Sequence, residues 1–214
     1  MILRELVDLL YVAAKEINPD LKNKAIDVVE NNSDFKGLKI CELGDQIMKW
    51  HQDRTGKKYL LNRGADEHIS IDINGKNGAL SLDLSKPIDR WFEYFDITSN
   101  YGTLEHVDPG IYIGFQNFHN WTKIGGVMIH AGPPARGCPW HSPYHYETWF
   151  FKELANRCGY RHILSELRES TGRRGKNQNA IDRSLVCSVL VKEPTSKFIS
   201  FEDFKSINGI EGLK

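Results

Sequence analysis

Several short apolar runs in this sequence end in residues that could hold a ligand of nucleoside type. The first run, Leu38–Leu43, contains Glu42, ends at Gly44 and is followed by Asp45 and Gln46. A glycine at the end of a strand lets a ligand come close to the bare backbone. The pattern therefore predicts a strand that runs into a tight turn at which a ligand could bind.

Later runs place a polar residue at the same point of a predicted strand. Asp72, Asp83 and Asn100 each lie at such an end. A carboxylate such as that of Asp72 can accept two hydrogen bonds from a vicinal diol. Asp72–Gly75 could equally be an ordinary turn, since Asp, Asn and Gly are residues that turns favour. The repetition of polar residues at successive strand ends favours a binding site.

Glu105 and His106 follow the fourth predicted strand and could act together in proton transfer. Imidazole titrates near neutrality, and an adjacent carboxylate makes His106 a reasonable general base. The alternative is that both residues belong to a helix entrance, where acidic side chains suit the helix dipole. The residues alone leave both interpretations open.

Two further candidate bases accompany a long loop after the fifth predicted strand. His130 ends that strand, and His141 lies in the loop that begins at Gly132-Pro-Pro. The prolines, together with Trp140 and Tyr144, predict a shaped lid or pocket wall that contacts the substrate. His130 or His141 could then face the substrate as a base, although loop histidines commonly have no such role.

His141 and His145 have a spacing seen in metal sites, but Pro143 disfavours a helix between them. No group of acids or thiols in the sequence completes a ligand set. We therefore predict no metal site.

Gly172-Arg-Arg-Gly-Lys176 is the only compact basic run in the chain. Such a run is usually a solvated loop. The predicted topology puts it on the ligand side of the sheet, so Arg173 and Arg174 could recognise a phosphate, a carboxylate or a nucleic-acid backbone.

The hydrophobic periodicity predicts helices and strands that alternate along most of the chain. Helices are predicted at 2–17, 21–30, 46–53, 109–121 and 147–158, and strands at 38–43, 68–73, 79–84, 94–99, 126–131, 160–167 and 185–191. No helix separates the last two strands, so we expect them to form a long hairpin. The predicted fold class is α/β, with a doubly wound, mostly parallel seven-stranded sheet, an antiparallel last strand and two extra N-terminal helices.

This organisation divides the chain into three parts. Residues 1–35 are a helical extension, 36–199 a Rossmann-like domain, and 200–214 a polar C-terminal tail that we expect to be only partly ordered. Because open parallel sheets bind ligands at the carboxyl ends of their strands, Gly44, Asp72, Asp83 and Asn100 should share one edge.

Composition excludes some classes of function. Lys plus Arg and Asp plus Glu both number 28 in the 214 residues, so the chain has no net charge that would draw it to nucleic acid or to an anionic membrane. The four cysteines have no paired short spacing, and Cys41 and Cys187 lie in apolar runs, which predicts reduced, buried thiols. No apolar run is long enough to span a membrane, so we expect a cytoplasmic protein. The sequence leaves the oligomeric state open.

Between Leu38 and Val191 the sequence resembles the class I S-adenosylmethionine-dependent methyltransferases. The most specific match is Thr98-Ser-Asn-Tyr-Gly-Thr-Leu-Glu-His-Val107, which is similar to a subgroup motif that reads N-hydrophobic-G-T-x-E-H. The resemblance implies S-adenosylmethionine as cofactor. The cofactor site that it implies comprises Glu42, Gly44, Asp45, Gln46, Asp72, Ile73, Asp83, Leu84, Asn100, Tyr101, Gly102 and Thr103.

One turn departs from the family pattern. Typical members carry E-x-G-x-G-x-G after the first strand, whereas this chain keeps only Glu42 and Gly44 before Asp45-Gln46. We predict methyl transfer to an oxygen or nitrogen of a small polar acceptor of anionic or sugar type, with nucleic acid less favoured. The alternative is a non-catalytic relative that serves as a binding or partner module. An NAD-linked enzyme is disfavoured because the first turn lacks G-x-G-x-x-G.

Overall fold

The computed structural model describes residues 7–18, 35–49, 51–137, 140–169 and 184–213, and helices alternate with strands along them. The strands are β1 (Lys39–Leu43), β2 (Ile47–Met48), β3 (Arg54–Thr55), β4 (Glu67–Ile71), β5 (Phe95–Tyr101), β6 (Thr122–Gly132), β7 (His145–Tyr146), β8 (Arg161–Glu169), β9 (Ser184–Val191) and β10 (Ile210–Glu211). The helices are α1 (Val7–Ile17), α2 (Gly56–Leu61), α3 (Ile111–Trp121), α4 (Phe150–Cys158) and α5 (Phe201–Ser206).

The central sheet has six strands in the order β4-β1-β5-β6-β9-β8. The pairs among β4, β1, β5 and β6 are parallel, and β9 is antiparallel to both of its neighbours. This arrangement confirms the mixed α/β fold, the mostly parallel sheet and the antiparallel last strand.

One of the seven predicted strands, at 79–84, does not form in the described chain. Leu80 makes a single parallel bridge to Ile71, and a 3₁₀ turn at Lys76–Gly78 precedes it. Ser81 and Asp83 are exposed on both sides of the half-buried Leu82, so the segment buries too little side chain to extend the sheet.

The helix predicted at 46–53 is also wrong. Here β2 and β3 form a short antiparallel hairpin, and Arg54 adopts a left-handed conformation with φ of 66°. The helix begins later, at Gly56, where the Thr55 hydroxyl accepts a hydrogen bond from the Lys58 N–H. The first N-terminal helix is confirmed as α1, and the second predicted helix, at 21–30, lies outside the described residues.

The sheet is covered on both faces by separate apolar clusters. Val127 and Ile129 of β6 belong to the cluster that also holds the buried residues of α1, whereas the alternate residue Met128 belongs to the cluster with α3 and α4. This alternation follows from the period of two along a strand. It also directs His130 toward the aromatic residues of α3 and α4.

The C-terminal segment is ordered, in contrast to the partly ordered tail that we expected. Ser200 caps α5, and Phe204, Ile207 and Ile210 are buried in the main core. β10 then pairs with β7. No helix among the described residues combines the length and the apolar character that crossing a bilayer requires.

Candidate functional site

The carboxyl ends of β1, β4 and β5 bring the predicted cofactor residues to one edge of the sheet. Leu43 lies opposite Ile71 in β4 and opposite Asn100 in β5. The residues that follow these positions, Gly44 and Asp72 among them, therefore begin adjacent turns. Of the four residues predicted to share this edge, Gly44, Asp72 and Asn100 lie at these strand ends, whereas Asp83 does not, because no strand forms before it.

The turn after β1 is closed by the side chain of Gln46. Its amide nitrogen donates hydrogen bonds to the carbonyl oxygens of Leu43, at 2.8 Å, and Tyr101, at 3.0 Å. Gly44 has φ of 86°, and a Cβ atom added there would meet the Thr103 hydroxyl and lie 2.7 Å from the Gln46 amide nitrogen. The amide oxygen of Gln46 is buried and has no hydrogen-bond partner. The space above Gly44 is thus filled by side chains of the chain itself.

Asp72 joins the turn after β1 to the turn after β4. One carboxylate oxygen accepts a hydrogen bond from the Asp45 N–H and the other from the Asn74 N–H, each at 2.9 Å. The Asp45 carboxylate accepts a further bond of 2.6 Å from the Asn77 amide. Next to Asp72, the apolar side chain of Ile73 is 72% exposed.

The turn after β5 is shaped by Asn100. Its amide oxygen accepts hydrogen bonds from the backbone N–H groups of Thr103, at 3.1 Å, and Leu104, at 3.0 Å. Gly102 adopts φ of 75° within this turn, and the Thr103 hydroxyl donates to the Leu43 carbonyl at 3.0 Å. These bonds start the 3₁₀ turn Leu104–His106 and fix its position relative to β1.

A polar cluster of Glu105, His106 and His141 lies beside this 3₁₀ turn. One possible ligand atom from each residue lies within 4.8 Å of the other two. The imidazole rings of His106 and His141 are 5.1 Å apart and nearly perpendicular, at 73°. Glu105 is only 1% exposed, His141 is half-buried and His106 is exposed. The cluster is therefore accessible from the imidazole side.

The loop between β6 and β7 is anchored over this cluster. The Tyr144 N–H donates to the Glu105 carbonyl at 3.3 Å, and the Tyr144 hydroxyl donates to the Asp108 carboxylate at 2.6 Å. Burial, more than the bond to Asp108, raises the pKa of Tyr144 to about 12, so the phenol stays protonated and keeps donating. These two bonds tie the segment that carries His141 to the segment that carries Glu105 and His106.

His130 does not face the substrate edge as predicted. Its ring is 1% exposed and stacks between Phe115 and Phe151, with ring centroids 5.0 Å from each. Burial lowers the pKa of His130 to about 3. A ring enclosed by aromatic residues and resistant to protonation fits a core residue and not a base, which corrects the prediction.

The other predicted residues have varied positions. Glu42 is 1% exposed, with one carboxylate oxygen 3.5 Å from His68 Nε2, and both of its oxygens lie within 2.6 Å of the position that a Cβ atom added at Gly56 would occupy. Asp83 is exposed, and hydrogen bonds from the Ser85 hydroxyl and N–H lower its pKa. Leu84 is buried against α3, whereas Trp140 is 76% exposed and forms no closed wall. Arg173 and Arg174 lie outside the described residues.

Comparisons with known proteins bear on the fold. No protein-family profile and no curated protein matches the chain. A solved Haloferax volcanii complex of the methyltransferase activator Trm112 with its methyltransferase contains a matching chain, 11% identical with a TM-score of 0.53, and the match covers 90% of this chain and 98% of that one.

Two further solved structures match over most of their length. A 1,6-didemethyltoxoflavin-N1-methyltransferase of Burkholderia thailandensis, with bound S-adenosylhomocysteine, is 12% identical with a TM-score of 0.50 over 90% of this chain and 91% of that one. An Archaeoglobus fulgidus S-adenosylmethionine-dependent methyltransferase is 14% identical with a TM-score of 0.50 over 86% and 94%. The fold is that of the class I S-adenosylmethionine-dependent methyltransferases. At these identities the likeness concerns the fold.

The residues at this edge of the methyltransferase fold fit an adenosine group. Two carboxylate oxygens offer about four acceptor positions, and the Asp45 and Asn74 N–H groups use two of those on Asp72. Two positions remain for two ribose hydroxyls. The exposed side chain of Ile73 offers an apolar surface for a flat base.

Sequence reasoning missed the polar cluster and the role of Gln46. Glu105 and His106 were paired as neighbours, but nothing in the spacing shows that His141, from a different loop, joins them. Tyr146 was also missed: its hydroxyl is buried without a hydrogen-bond partner, and burial and then the charge of Glu105 raise its pKa. The only available signal was the long proline-containing loop that carries His141.

Proposed function

We propose that this protein is an enzyme that transfers a methyl group from S-adenosylmethionine to an oxygen or nitrogen atom of a small polar acceptor. The observation that carries the proposal is the placement of Asp72, with two acceptor positions to spare, at the carboxyl edge of a methyltransferase fold. The Glu105–His106–His141 cluster beside the turn after β5 supports it.

The cofactor would be held by the turns after β1 and β4. Asp72 accepts hydrogen bonds from the ribose hydroxyls, and Ile73 packs against the adenine, with Asp83 and Leu84 near its edge. The buried, unpartnered amide oxygen of Gln46 suits the ammonium of the methionine part once the side chain turns. S-adenosylmethionine supplies a methyl group on a sulfonium centre, which is already electrophilic.

The chain's own contribution to the reaction is then positioning and proton removal. Effective alignment of donor and acceptor accounts for much of the rate enhancement in such transfers. His106, at the exposed side of the cluster, takes the acceptor's proton. Glu105 and His141, whose ligand atoms lie within 4.8 Å of that of His106, orient its imidazole.

The acceptor is proposed as small and polar, of sugar or anionic type. Arg173 and Arg174 would bind an anionic group on it. The absence of net charge makes a nucleic-acid acceptor the less favoured choice. The free, buried thiols of Cys41, Cys158 and Cys187 are compatible with a reducing cytoplasm.

One observation favours a second candidate function. The Gln46 amide and the Thr103 hydroxyl occupy the space above Gly44 that glycine-rich turns leave open. If this side chain does not move, the chain serves as a partner module that retains the methyltransferase fold without the cofactor.

Calorimetric titration with S-adenosylhomocysteine distinguishes the methyltransferase from the partner module. We expect the native chain to bind and Asp72→Ala to lose binding, whereas Asp66→Ala, which removes an exposed carboxylate at the opposite end of β4, should bind as the native chain does. Absence of binding by the native chain would overturn the methyltransferase and favour the partner module.

A further inference from the structure

We propose that Glu105, His106 and His141 bind one divalent transition-metal ion, with Zn²⁺ the ion that suits them best. A second step, which rests on the proposed function, is that this ion holds the oxygen of a hydroxyl-bearing acceptor next to the methyl donor. The acceptor class is thereby narrowed to compounds that can offer an oxygen to a metal.

The geometry of the three side chains suits an ion. One ligand atom from each lies within 4.8 Å of the others, and ligands around a tetrahedral ion at about 2.1 Å lie roughly 3.4 Å apart. Glu105 is buried, whereas His106 is exposed and His141 is half-buried. To bind an ion, the three ligand atoms would have to move closer together through changes of side-chain rotamer.

The ligand types select the metal. Two imidazoles and one carboxylate form the donor set of many catalytic Zn²⁺ sites, which keep a further position open for water or substrate. Mg²⁺ and Ca²⁺ prefer oxygen ligands and are disfavoured by the two imidazoles. A set of three protein ligands leaves such a position for an acceptor oxygen.

The backbone segments that carry these ligands are tied together independently of any ion. The Tyr144 N–H bonds to the Glu105 carbonyl, and the Ser142 hydroxyl donates to the Tyr144 carbonyl at 3.0 Å, so the segment that carries His141 is tied to the segment that carries the other two ligands. The buried hydroxyl of Tyr146, which has no hydrogen-bond partner, lies close enough to Glu105 to be influenced by its charge.

The proposed step balances without an additional reagent. With the ion bound, His106 is a ligand and no longer acts as the general base. The acceptor hydroxyl bound to the ion then loses its proton to solvent, because a divalent ion lowers the pKa of a bound O–H group. The oxygen then forms a bond to the methyl carbon while the carbon–sulfur bond breaks, and its electron pair stays on sulfur. The products are a methyl ether and the thioether S-adenosylhomocysteine.

The test is metal binding by the full-length, tag-free chain after treatment with a chelator. We expect Zn²⁺ titration and elemental analysis to give one ion per chain, Co²⁺ to give the visible spectrum of a four- or five-coordinate site, and Mg²⁺ not to bind. In His106→Gln and His141→Gln the Zn²⁺ affinity should fall by more than the roughly 10–100-fold typical of losing an outer-shell partner. His162→Gln, a half-buried histidine of β8, is the matched control and should bind as the native chain does.

Both solvent-accessible ligands are used because Glu105 is buried and its variants could fail to fold. The proposal would be overturned if the native chain did not bind stoichiometric Zn²⁺, or if both histidine variants bound Zn²⁺ as tightly as the native chain does. Titration with S-adenosylhomocysteine in the presence of chelator tests the proposed function separately. Cofactor binding without Zn²⁺ binding would refute only the metal site. Zn²⁺ binding without cofactor binding would refute only the proposed methyltransferase function.

Discussion

Two parts of the same sheet edge are constructed in different ways. The turns after β1 and β4 are tied by hydrogen bonds in which backbone groups take part, and Asp72 and Gln46 each bridge two segments. The cluster of Glu105, His106 and His141 consists of side chains from two loops, and two of its members reach solvent. The first part presents fixed acceptors of hydrogen bonds. The second presents three side chains whose ligand atoms lie close enough together to bind an ion.

The largest expected effect is on the affinity for S-adenosylhomocysteine, which should depend on the first part of the edge and not on the second. Asp72→Ala should lower the affinity for S-adenosylhomocysteine on the order of 100-fold, since it removes two hydrogen bonds to a charged group. His141→Gln should change this affinity by less than about threefold, because its side chain lies in the other part. Isothermal titration of both variants checks this. Equal losses would show that the two parts act as one.

Gly44→Ala should destabilise the turn after β1 by roughly 3 kcal/mol. The added Cβ meets the Thr103 hydroxyl and the Gln46 amide, and φ of 86° is strained for alanine. Gly37→Ala is the matched control, with φ of 83° and no atom within 4 Å of the added Cβ, and should cost about 1–2 kcal/mol. Urea denaturation of both variants measures the difference. Similar costs would mean that the turn has room to rearrange.

The pH dependence of stability tests whether His130 is an unprotonated core residue, in contrast to the accessible histidines of the cluster. Its pKa is about 3 in the folded chain, against about 6.5 when unfolded, so the unfolded chain binds the proton first as the pH falls. Its contribution to stability is complete above the unfolded pKa and is lost progressively as the pH falls toward 3. Between pH 7 and pH 5 this amounts to about 2 kcal/mol.

Denaturation curves at both pH values should therefore show a loss of stability that is about 2 kcal/mol smaller for His130→Leu than for the native chain. The slope with pH is compared and not the stability itself, because the substitution also changes packing. If stability fell by the same amount with pH in both proteins, a group other than His130 would be responsible for the loss.

The smallest expected effect concerns the anchoring of the β6–β7 loop. Tyr144→Phe removes the hydrogen bond to Asp108 and should cost about 1 kcal/mol. Tyr94→Phe loses a similar bond of 2.7 Å to Glu67 at the other end of the sheet and should cost about as much. Only the Tyr144 variant should also weaken Zn²⁺ binding. Equal Zn²⁺ affinity in the two variants would mean that this bond does not position His141.

The sequence was a good guide wherever the determining contacts are local. Strand ends at Gly44, Asp72 and Asn100 could be predicted because each apolar run stops at a recognisable turn residue, and parallel pairing then brings the ends together. The last two strands pair as expected because nothing between them supports a helix. These features depend on a few adjacent residues.

Where distant segments decide the outcome, the sequence was misleading. The apolar residues at 46–53 fit a helix, but pairing between Ile47 and Thr55 forms a hairpin. His130 ends an apolar strand and looks accessible, but the alternation along β6 turns it into the aromatic core. The cluster with His141 needs the fold of a whole loop and could not be read from spacing.

The pairing of β10 with β7 ties a late segment of the chain to the loop that carries His141. Ile210 pairs with Tyr146 and Glu211 with His145, and the Glu211 carboxylate accepts a hydrogen bond from the Arg136 N–H. A ribosome that has delivered the central sheet has not yet delivered these partners, since chains fold from the N-terminus as they emerge. The turns after β1 and β4 can therefore form on the nascent chain before the loop that carries His141 is secured. That loop gains its contacts with β10 only after residue 211 has left the ribosomal exit tunnel.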